Sequence, residues 1–154
     1  MKTKILFSFV LLAVVFGACK KDPVVPQPEE LLTNKSWIMT SMTVDPAIDW
    51  FGTGVKVSNI YAQLPSCAKD DLLLFEKNNL VKFDEGGTRC RTADPQTVTG
   101  SWTLSADKKT ITVVEDGEAE SWSIQTLTAS DLALTFQVED GGIAYTLSIG
   151  YHKQ

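Results

Sequence analysis

From residue 97 onward, apolar and polar residues alternate with a period of two, and this pattern constrains the fold more than any other feature of the chain. In the last and clearest run, five apolar residues fall on one side of an extended strand: Ile143, Tyr145, Leu147, Ile149 and Tyr151. Polar and small residues fall on the other side, as expected of strands with one buried face. Helical periodicity is hard to find after Ser36, so the sequence predicts an all-β fold.

Short turns separate the alternating runs, among them Asp116-Gly117 and Asp140-Gly141-Gly142. Turns of this length join neighbouring strands in antiparallel orientation. Counting gives eight strands, near residues 36–44, 71–76, 80–84, 97–105, 110–115, 119–128, 132–139 and 143–152. Eight sequentially joined strands with one apolar face each hide their faces and edges by closing into an antiparallel up-and-down barrel. An open sheet or a sandwich of two meanders is the alternative.

Residues 67–90 contain a hairpin with a cysteine at each end. Two apolar runs, Leu72-Leu73-Leu74-Phe75 and Leu80-Val81-Lys82-Phe83, flank the polar turn Glu76-Lys77-Asn78-Asn79. Asn tolerates the positive φ that such turns need. The midpoint between Cys67 and Cys90 falls in this turn, so the two thiols lie nearly opposite each other at the open end. The hairpin therefore predicts a Cys67–Cys90 disulfide.

The N-terminus has the composition of a secretory leader. Lys2 and Lys4 precede an apolar run over residues 5–16 that is too short for a permanent membrane span. The run ends in Phe16-Gly17-Ala18-Cys19, which resembles the lipobox of bacterial lipoproteins. That resemblance implies a signal peptide over residues 1–18 and acylation of Cys19, with anchoring by acyl chains such as palmitate. The alternative is ordinary secretory cleavage near Ala18, which leaves Cys19 a free thiol.

Residues 19–32 follow the leader and are rich in proline, with Pro23, Pro26 and Pro28 within six positions. This composition favours an extended tether that takes no part in a sheet. Lys20, rather than Asp, follows the cysteine, which by the same resemblance favours the outer membrane. The predicted domains are thus the signal peptide (1–18), the lipidated tether (19–32) and the barrel (33–154).

Several segments of the barrel together resemble the small lipocalin-like lipoproteins of Gram-negative bacteria. They are Leu31-Leu32-Thr33-Asn34-Lys35-Ser36-Trp37, Cys67-Ala68-Lys69-Asp70-Asp71, Phe83-Asp84-Glu85-Gly86-Gly87 and Val98-Thr99-Gly100-Ser101-Trp102-Thr103-Leu104. The resemblance spans most of residues 31–150. It implies a small lipocalin-like barrel with one open mouth and, in most members, no assigned activity.

The connection between the first two predicted strands, residues 45–70, is far longer than any other, and such loops are usually functional or disordered. Its content of aromatic and aliphatic residues argues against disorder. We expect it at the barrel mouth, either as a lid over a ligand or as a plug over an interior already filled by side chains. If a ligand binds, the predicted contacts are Trp50, Phe51, Tyr61, Trp102, Trp122 and Tyr145.

Enzymatic chemistry finds little support. His152 is the single histidine and lies at the chain end, so a His-based acid/base or metal site has little to build on. The acidic pairs Asp70-Asp71, Asp84-Glu85 and Glu139-Asp140 fall at strand ends and turns, where solvated acids are ordinary. No phosphate loop, nucleophile elbow or CxxC motif is present. We therefore predict no catalytic residues, cofactor or metal.

Charge limits the class of partner. The formal net charge is −5, and removal of Lys2 and Lys4 with the leader makes it −7, which argues against nucleic acid. Two hypotheses remain: a tethered protein that binds a small hydrophobic or amphipathic ligand at the barrel mouth, and an envelope interaction module with a filled core that meets a protein or glycan. The sequence gives no signal for oligomeric state.

Overall fold

The computed structural model describes residues 25–154. The predicted signal peptide (1–18), the lipidation site Cys19 and the first part of the tether lie outside the described residues. Within the described part, one short α-helix precedes nine strands, and the strands form a single antiparallel sheet. The elements are α1 Pro28–Leu32, β1 Ser36–Ile48, β2 Val57–Asn59, β3 Leu72–Phe75, β4 Leu80–Asp84, β5 Thr97–Leu104, β6 Thr110–Glu115, β7 Glu118–Leu127, β8 Asp131–Asp140 and β9 Ile143–Lys153.

The sheet closes on itself, because β1 pairs with β3 on one edge and with β9 on the other. Trp37 shows this closure directly, since it is paired with both Leu73 and Lys153. The predicted eight-stranded up-and-down barrel is confirmed, built from β1 and β3 to β9. The open sheet and the sandwich are excluded.

The additional strand, β2, lies within the long connection that follows β1. It pairs with the second half of β1, with Thr43 opposite Asn59, on the edge that β3 leaves free beyond Ile38. The connection therefore folds back as a hairpin around residues 49–56 before two 3-10 turns, Tyr61–Gln63 and Ser66–Ala68, carry it to β3. Sequence alternation could not show β2, because three residues are too few to display a period.

The extended conformation predicted for residues 19–32 is wrong for the last five of them, which form α1. Pro28 occupies the first turn of this helix, where proline's missing N–H costs nothing. Leu32 is fully buried, and its carbonyl accepts a hydrogen bond from Nε1 of Trp37 at 3.0 Å. Helix α1 thus covers one end of the barrel, hereafter the closed end, where the turns at 76–79, 105–109 and 128–130 also lie.

The core fills the closed half of the barrel and extends toward the opposite end. Eleven buried residues form one cluster: Leu32, Trp37, Leu73, Phe75, Val81, Trp102, Ile111, Val113, Trp122, Leu132 and Leu134. The rings of Phe75 and Trp102 meet edge to face, with centroids 5.2 Å apart. Nε1 of Trp102 donates to the carbonyl of Glu76 at 3.0 Å, so its burial leaves no donor unpaired. The opposite end, hereafter the mouth, carries the loops 49–71, 85–96, 116–117 and 141–142.

Candidate functional site: the mouth cavity

A disulfide joins the two longest loops of the mouth. Cys67 and Cys90 are bonded, with their Cα atoms 5.2 Å apart. The bridge predicted from the hairpin is confirmed, and so is its position at the open end, beside the loop that follows β4. It fastens the end of the long first loop to the barrel.

Close backbone packing strengthens this junction. Gly86 has φ +60°, and a Cβ atom placed on it would lie 2.0 Å from the carbonyl oxygen of Asp70. Only glycine fits this backbone at that distance. Nearby, Oγ1 of Thr88 donates to Oδ2 of Asp70 at 2.6 Å. The segments on both sides of the disulfide are therefore held at fixed spacing.

Beneath this junction lies a cavity of about 190 Å³, hereafter the mouth cavity. It is lined by Met39, Asp71, Leu72, Leu73, Phe83, Asp84, Glu85, Pro95, Val98 and Tyr151. The register explains most of the wall, because Leu73, Phe83 and Val98 are direct neighbours across β3, β4 and β5. Met39 and Tyr151 are paired across β1 and β9 in the same way. Apolar side chains from five strands thus converge on one space inside the barrel.

Asp71 is the unusual member of this wall. Its Oδ1 atom is buried and has no hydrogen-bond partner among the described residues. Burial raises the pKa of Asp71 to about 6, and the negative charges of Glu85, Asp70 and Asp84 add to the rise. A carboxylate in this position is costly unless a ligand compensates it.

The neighbouring carboxylate of Asp84 is satisfied. It accepts hydrogen bonds from Oγ1 of Thr97 at 2.6 Å and from Nε2 of Gln96 at 3.1 Å. The Thr97 hydrogen bond is the largest of the effects that lower the pKa of Asp84. The surroundings therefore raise the pKa of Asp71 and lower the pKa of Asp84, although both acids belong to the same wall.

A second cavity, of about 320 Å³, adjoins the first, since Phe83 lines both. Its apolar wall is Phe83, Val113 and Trp122, and its other lining residues are all acidic: Glu115, Asp116, Glu118 and Glu120. Among the described residues that line either cavity, none is Lys, Arg or His. The mouth is apolar in its depth and acidic at its rim.

A model of the lipocalin-like domain family matches residues 33–134, about two thirds of the chain. The chain belongs to the lipocalin-like domain family. The match begins at the end of α1 and includes β1 to β8 up to Leu134. Lipocalin families generally contain ligand-binding carriers rather than enzymes.

Two solved structures of bovine odorant-binding protein are similar to this chain, one in complex with a selenium-containing odorant and one with undecanal. Each is 14% identical to this lipocalin-like chain and covers 87% of it, and the match covers 77% of the bovine chain, with TM-scores of 0.44 and 0.46. No curated protein sequence matches.

The first three predicted ligand contacts lie in the long loop of this lipocalin-like chain, outside the mouth cavity. Trp50 and Phe51 lie in the β1–β2 hairpin loop with 44% and 59% of their surface exposed. Tyr61 begins a 3-10 turn, and the Nζ atom of Lys69 lies 5.1 Å from its ring centroid. The buried residue that this loop contributes is Ile60, at 1% exposure.

The other three predicted contacts lie at different depths of the barrel. Trp102 is in the core at the closed half, and Trp122 is also in the core but borders the second cavity. Tyr145, on β9 opposite Val138, is partly buried and lines neither cavity. The six residues therefore do not converge on one site.

The sequence does contain a signal for one residue that the prediction omits. Leu73 and Phe75 are buried and alternate with Leu72 and Leu74, so a period of two places Asp71 on the inward side as well. The interpretation of the acidic pair at 70–71 as solvated is wrong in one respect, because each of the two carboxylates has one buried oxygen. No comparable sequence pattern identifies Met39 and Val98, because the sequence does not show whether an inward-facing apolar residue lines a cavity or packs in the core.

Two further properties of residues 25–154 complete the description. No group of three or more His, Cys, Asp or Glu side chains is placed to hold a metal ion in this range. None of the helices in this part of the chain is long and apolar enough to cross a membrane.

A larger groove, about 650 Å³, lies at the closed end between α1 and β5. Its lining includes Glu29, Glu30, Lys77 and Asn79. We place the candidate site at the mouth instead, because inward-facing apolar side chains from five strands line the mouth cavity beside a few acidic groups, the setting typical of ligand sites.

Proposed function

We propose that this lipocalin-like protein is a membrane-anchored lipoprotein that binds a small hydrophobic or amphipathic molecule in the mouth cavity. The observation that carries the proposal is the mouth cavity itself, with Met39, Phe83 and Val98 on its apolar wall. Binding would bury apolar ligand surface, which is worth about 25 cal/mol per Å². Asp71 supplies a polar group that can orient a ligand, as is typical of such sites.

The size of the cavity limits the ligand. A dry apolar cavity of about 150 Å³ can accept a benzene-sized molecule, and the mouth cavity, at about 190 Å³, is only slightly larger. The filled closed half leaves no room there for a long acyl chain. The ligand class that fits the mouth cavity by itself is a single ring or a short branched chain, with a polar end directed to the rim.

The support for anchoring is the sequence Phe16-Gly17-Ala18-Cys19 and the tether that follows it. We propose acylation of Cys19 and a location at the outer membrane of a Gram-negative cell. The tether enters the domain through α1 at the closed end, opposite the mouth. An anchor at Cys19 would thus leave the mouth free to face away from the anchoring membrane.

Ligand binding is tested with 2-phenylethanol, a neutral molecule of the size that fits, followed by tryptophan fluorescence. Val98→Phe should fill the cavity and abolish the response, whereas Val114→Phe should leave it intact, because Val114 lies on β6, is 36% exposed and lines neither cavity. No response in the wild-type protein, or an equal response in Val98→Phe, would contradict the proposed site.

Anchoring is tested separately, in cells. Cys19→Ala should release the protein from the membrane fraction and prevent incorporation of labelled palmitate. A variant that still sediments with membranes and carries label would refute the lipoprotein assignment.

A second candidate function, an envelope interaction module, is favoured by the exposed apolar residues of the β1–β2 hairpin, Trp50, Phe51 and Val55. It requires no ligand in the barrel. If 2-phenylethanol fails to bind while Trp50→Ser and Phe51→Ser impair a cellular phenotype, this function replaces the first.

A further inference from the structure

All the charged residues that line the two mouth cavities are acidic, and this feature defines the ligand further. Asp71, Asp84 and Glu85 line the first cavity, and four more acids line the second. The basic residues that flank these acids in sequence make other contacts: Lys69 lies over the ring of Tyr61, Lys82 is paired with Glu76, and Arg91 is paired with Asp94. A ligand that enters the mouth therefore meets a negative potential.

Resting on the proposed function, we infer that the mouth cavity selects a cationic amphiphile, a small aryl-alkyl ammonium whose apolar part packs on Met39, Phe83 and Val98 and whose ammonium pairs with Asp71. The juxtaposition of an apolar wall and a carboxylate with a buried, unpaired oxygen is the basis of this inference. Neither feature alone would define the ligand.

Two acids, Asp70 and Asp71, have a buried carboxylate oxygen without a hydrogen-bond partner among the described residues, and of these two only Asp71 lines the mouth cavity. Asp84 is bonded to Thr97 and Gln96, and one oxygen of Asp70 accepts from Thr88. Oδ1 of Asp71 receives no hydrogen bond from the described residues. An ammonium offers three donors and a full positive charge, so it can compensate a carboxylate that the protein itself leaves unpaired.

Anions are disfavoured for the same reason. A fatty acid or an aryl carboxylate would place its charge against Asp71 and Glu85 at the rim, where like charges in a partly buried site repel strongly. A neutral ring would gain the apolar contacts alone. The structure thus ranks ligands of equal size as cation, then neutral molecule, then anion.

Protonation of Asp71 should control this preference. The charged groups that act on it are Glu85, Asp70 and Asp84, all negative, and together with burial they place its pKa at about 6. As the pH falls through that value, Asp71 takes up a proton and can no longer pair with a cation. Affinity for the ammonium should therefore fall in mild acid, while affinity for the neutral molecule stays level.

The test compares three probes that share a phenyl ring: 2-phenylethylammonium, 2-phenylethanol and phenylacetate. Isothermal titration calorimetry on the full mature chain should give the ammonium at least about tenfold tighter binding than the alcohol, as expected of one hydrogen-bonded charge. Phenylacetate should bind weakest. Asp71→Asn should remove the preference for the ammonium and spare the alcohol. Glu139→Gln makes an equal charge change at an exposed position of β8, at the same end of the barrel, and should keep the preference.

Each outcome decides between the two proposals. Equal binding of ammonium and alcohol, or an unchanged preference in Asp71→Asn, overturns the cation inference and leaves the proposed function standing. Failure of all three probes to bind overturns both. If Asp71→Asn does not fold, the wild-type protein still decides, because its preference for the ammonium must weaken between about pH 7.5 and pH 5 if Asp71 carries it.

Discussion

The closed half and the mouth half of this barrel are built from the same eight strands but are stabilised in different ways. In the closed half, α1 covers a cluster of aromatic and aliphatic side chains, and the indole N–H groups of Trp37 and Trp102 both donate to backbone carbonyls. In the mouth half, a disulfide and a glycine contact hold loops over a cavity with an unpaired carboxylate oxygen. The closed half is thus stabilised by side-chain packing, whereas the mouth half is stabilised by links between loops that leave a space inside.

The largest expected effect is on the closed half. Trp37→Ala should lower the free energy of unfolding by about 3 to 5 kcal/mol, because Trp37 is fully buried in the cluster. Trp50→Ala, the matched control, removes an indole that is 44% exposed and should change stability by less than about 0.5 kcal/mol. Urea unfolding of both variants measures the difference. Similar losses in the two variants would mean that the core does not lie where the structure places it.

The next effect concerns the disulfide of the mouth. Its loss in the double variant Cys67→Ala, Cys90→Ala should cost roughly 3 kcal/mol on the chain-entropy model, given the sequence separation of 23. Proteolysis should accelerate within residues 50–64 more than elsewhere, since the end of that loop is no longer fastened. Mass spectrometry of limited digests locates the cuts. Uniform cleavage along the chain would show that the bridge stabilises the whole barrel and not the mouth in particular.

A smaller effect tests the backbone contact beside the disulfide. Gly86→Ala places a Cβ against the Asp70 carbonyl and should cost about 2 to 3 kcal/mol. Gly141 is a matched control, with φ +56° against +60° and no atom within 4 Å of the place that a Cβ would take, so Gly141→Ala should cost only about 1 kcal/mol. Thermal unfolding separates the two. Equal destabilisation would show that the φ angle alone matters at Gly86.

The smallest effect is a pH dependence of stability. The folded pKa of Asp71, about 6, lies above the unfolded value of about 3.9, so the folded state binds this proton more tightly. The contribution of Asp71 therefore falls as the pH rises through 6. Asp71→Asn should be more stable than wild type near neutral pH, by less than about 1 kcal/mol because solvent screens the exposed side, and the advantage should shrink in mild acid.

Asp84→Asn supplies the opposite case. Its hydrogen bond from Thr97 lowers the pKa of Asp84, so its stabilising contribution is present above the unfolded value and is lost in acid. The variant should be less stable than wild type at neutral pH. Chemical unfolding of both variants at several pH values measures the effect. If Asp71→Asn and Asp84→Asn changed the free energy of unfolding in the same direction at neutral pH, the electrostatic description of the mouth would be contradicted.

The barrel was predictable because it depends on a repeated local signal. The alternation in β9 assigns its residues to two faces, and short turns leave little freedom in strand order. Helix α1 and strand β2 were missed, since five and three residues are too few for a period to appear. The register shifts at Met39/Ser41 and Ile124/Thr126 were also not foreseen, because they add single residues without a sequence marker.

The site was predictable only in part. The disulfide followed from the hairpin, which relates residues close in sequence. The mouth cavity instead combines side chains from β1, β3, β4, β5 and β9, and its volume depends on how closely these strands pack. The predicted ligand contacts were aromatic residues, yet most of these lie in the core or on the surface of the long loop. The inward position of Asp71 follows from the sequence only if the alternation of β3 is extended to the residue before the strand.

If the mouth half binds the ligand and the closed half supplies the packed core, a ligand should contact residues of the mouth half and leave the closed half unchanged. Titration of the isotopically labelled protein with 2-phenylethylammonium, followed through backbone amide shifts by nuclear magnetic resonance, tests this requirement at every residue. We expect saturable shifts at Asp71, Leu73, Phe83, Val98 and Tyr151, with Trp37, Phe75 and Ile111 unmoved. Shifts centred on the closed end, or no saturable shifts at all, would contradict it.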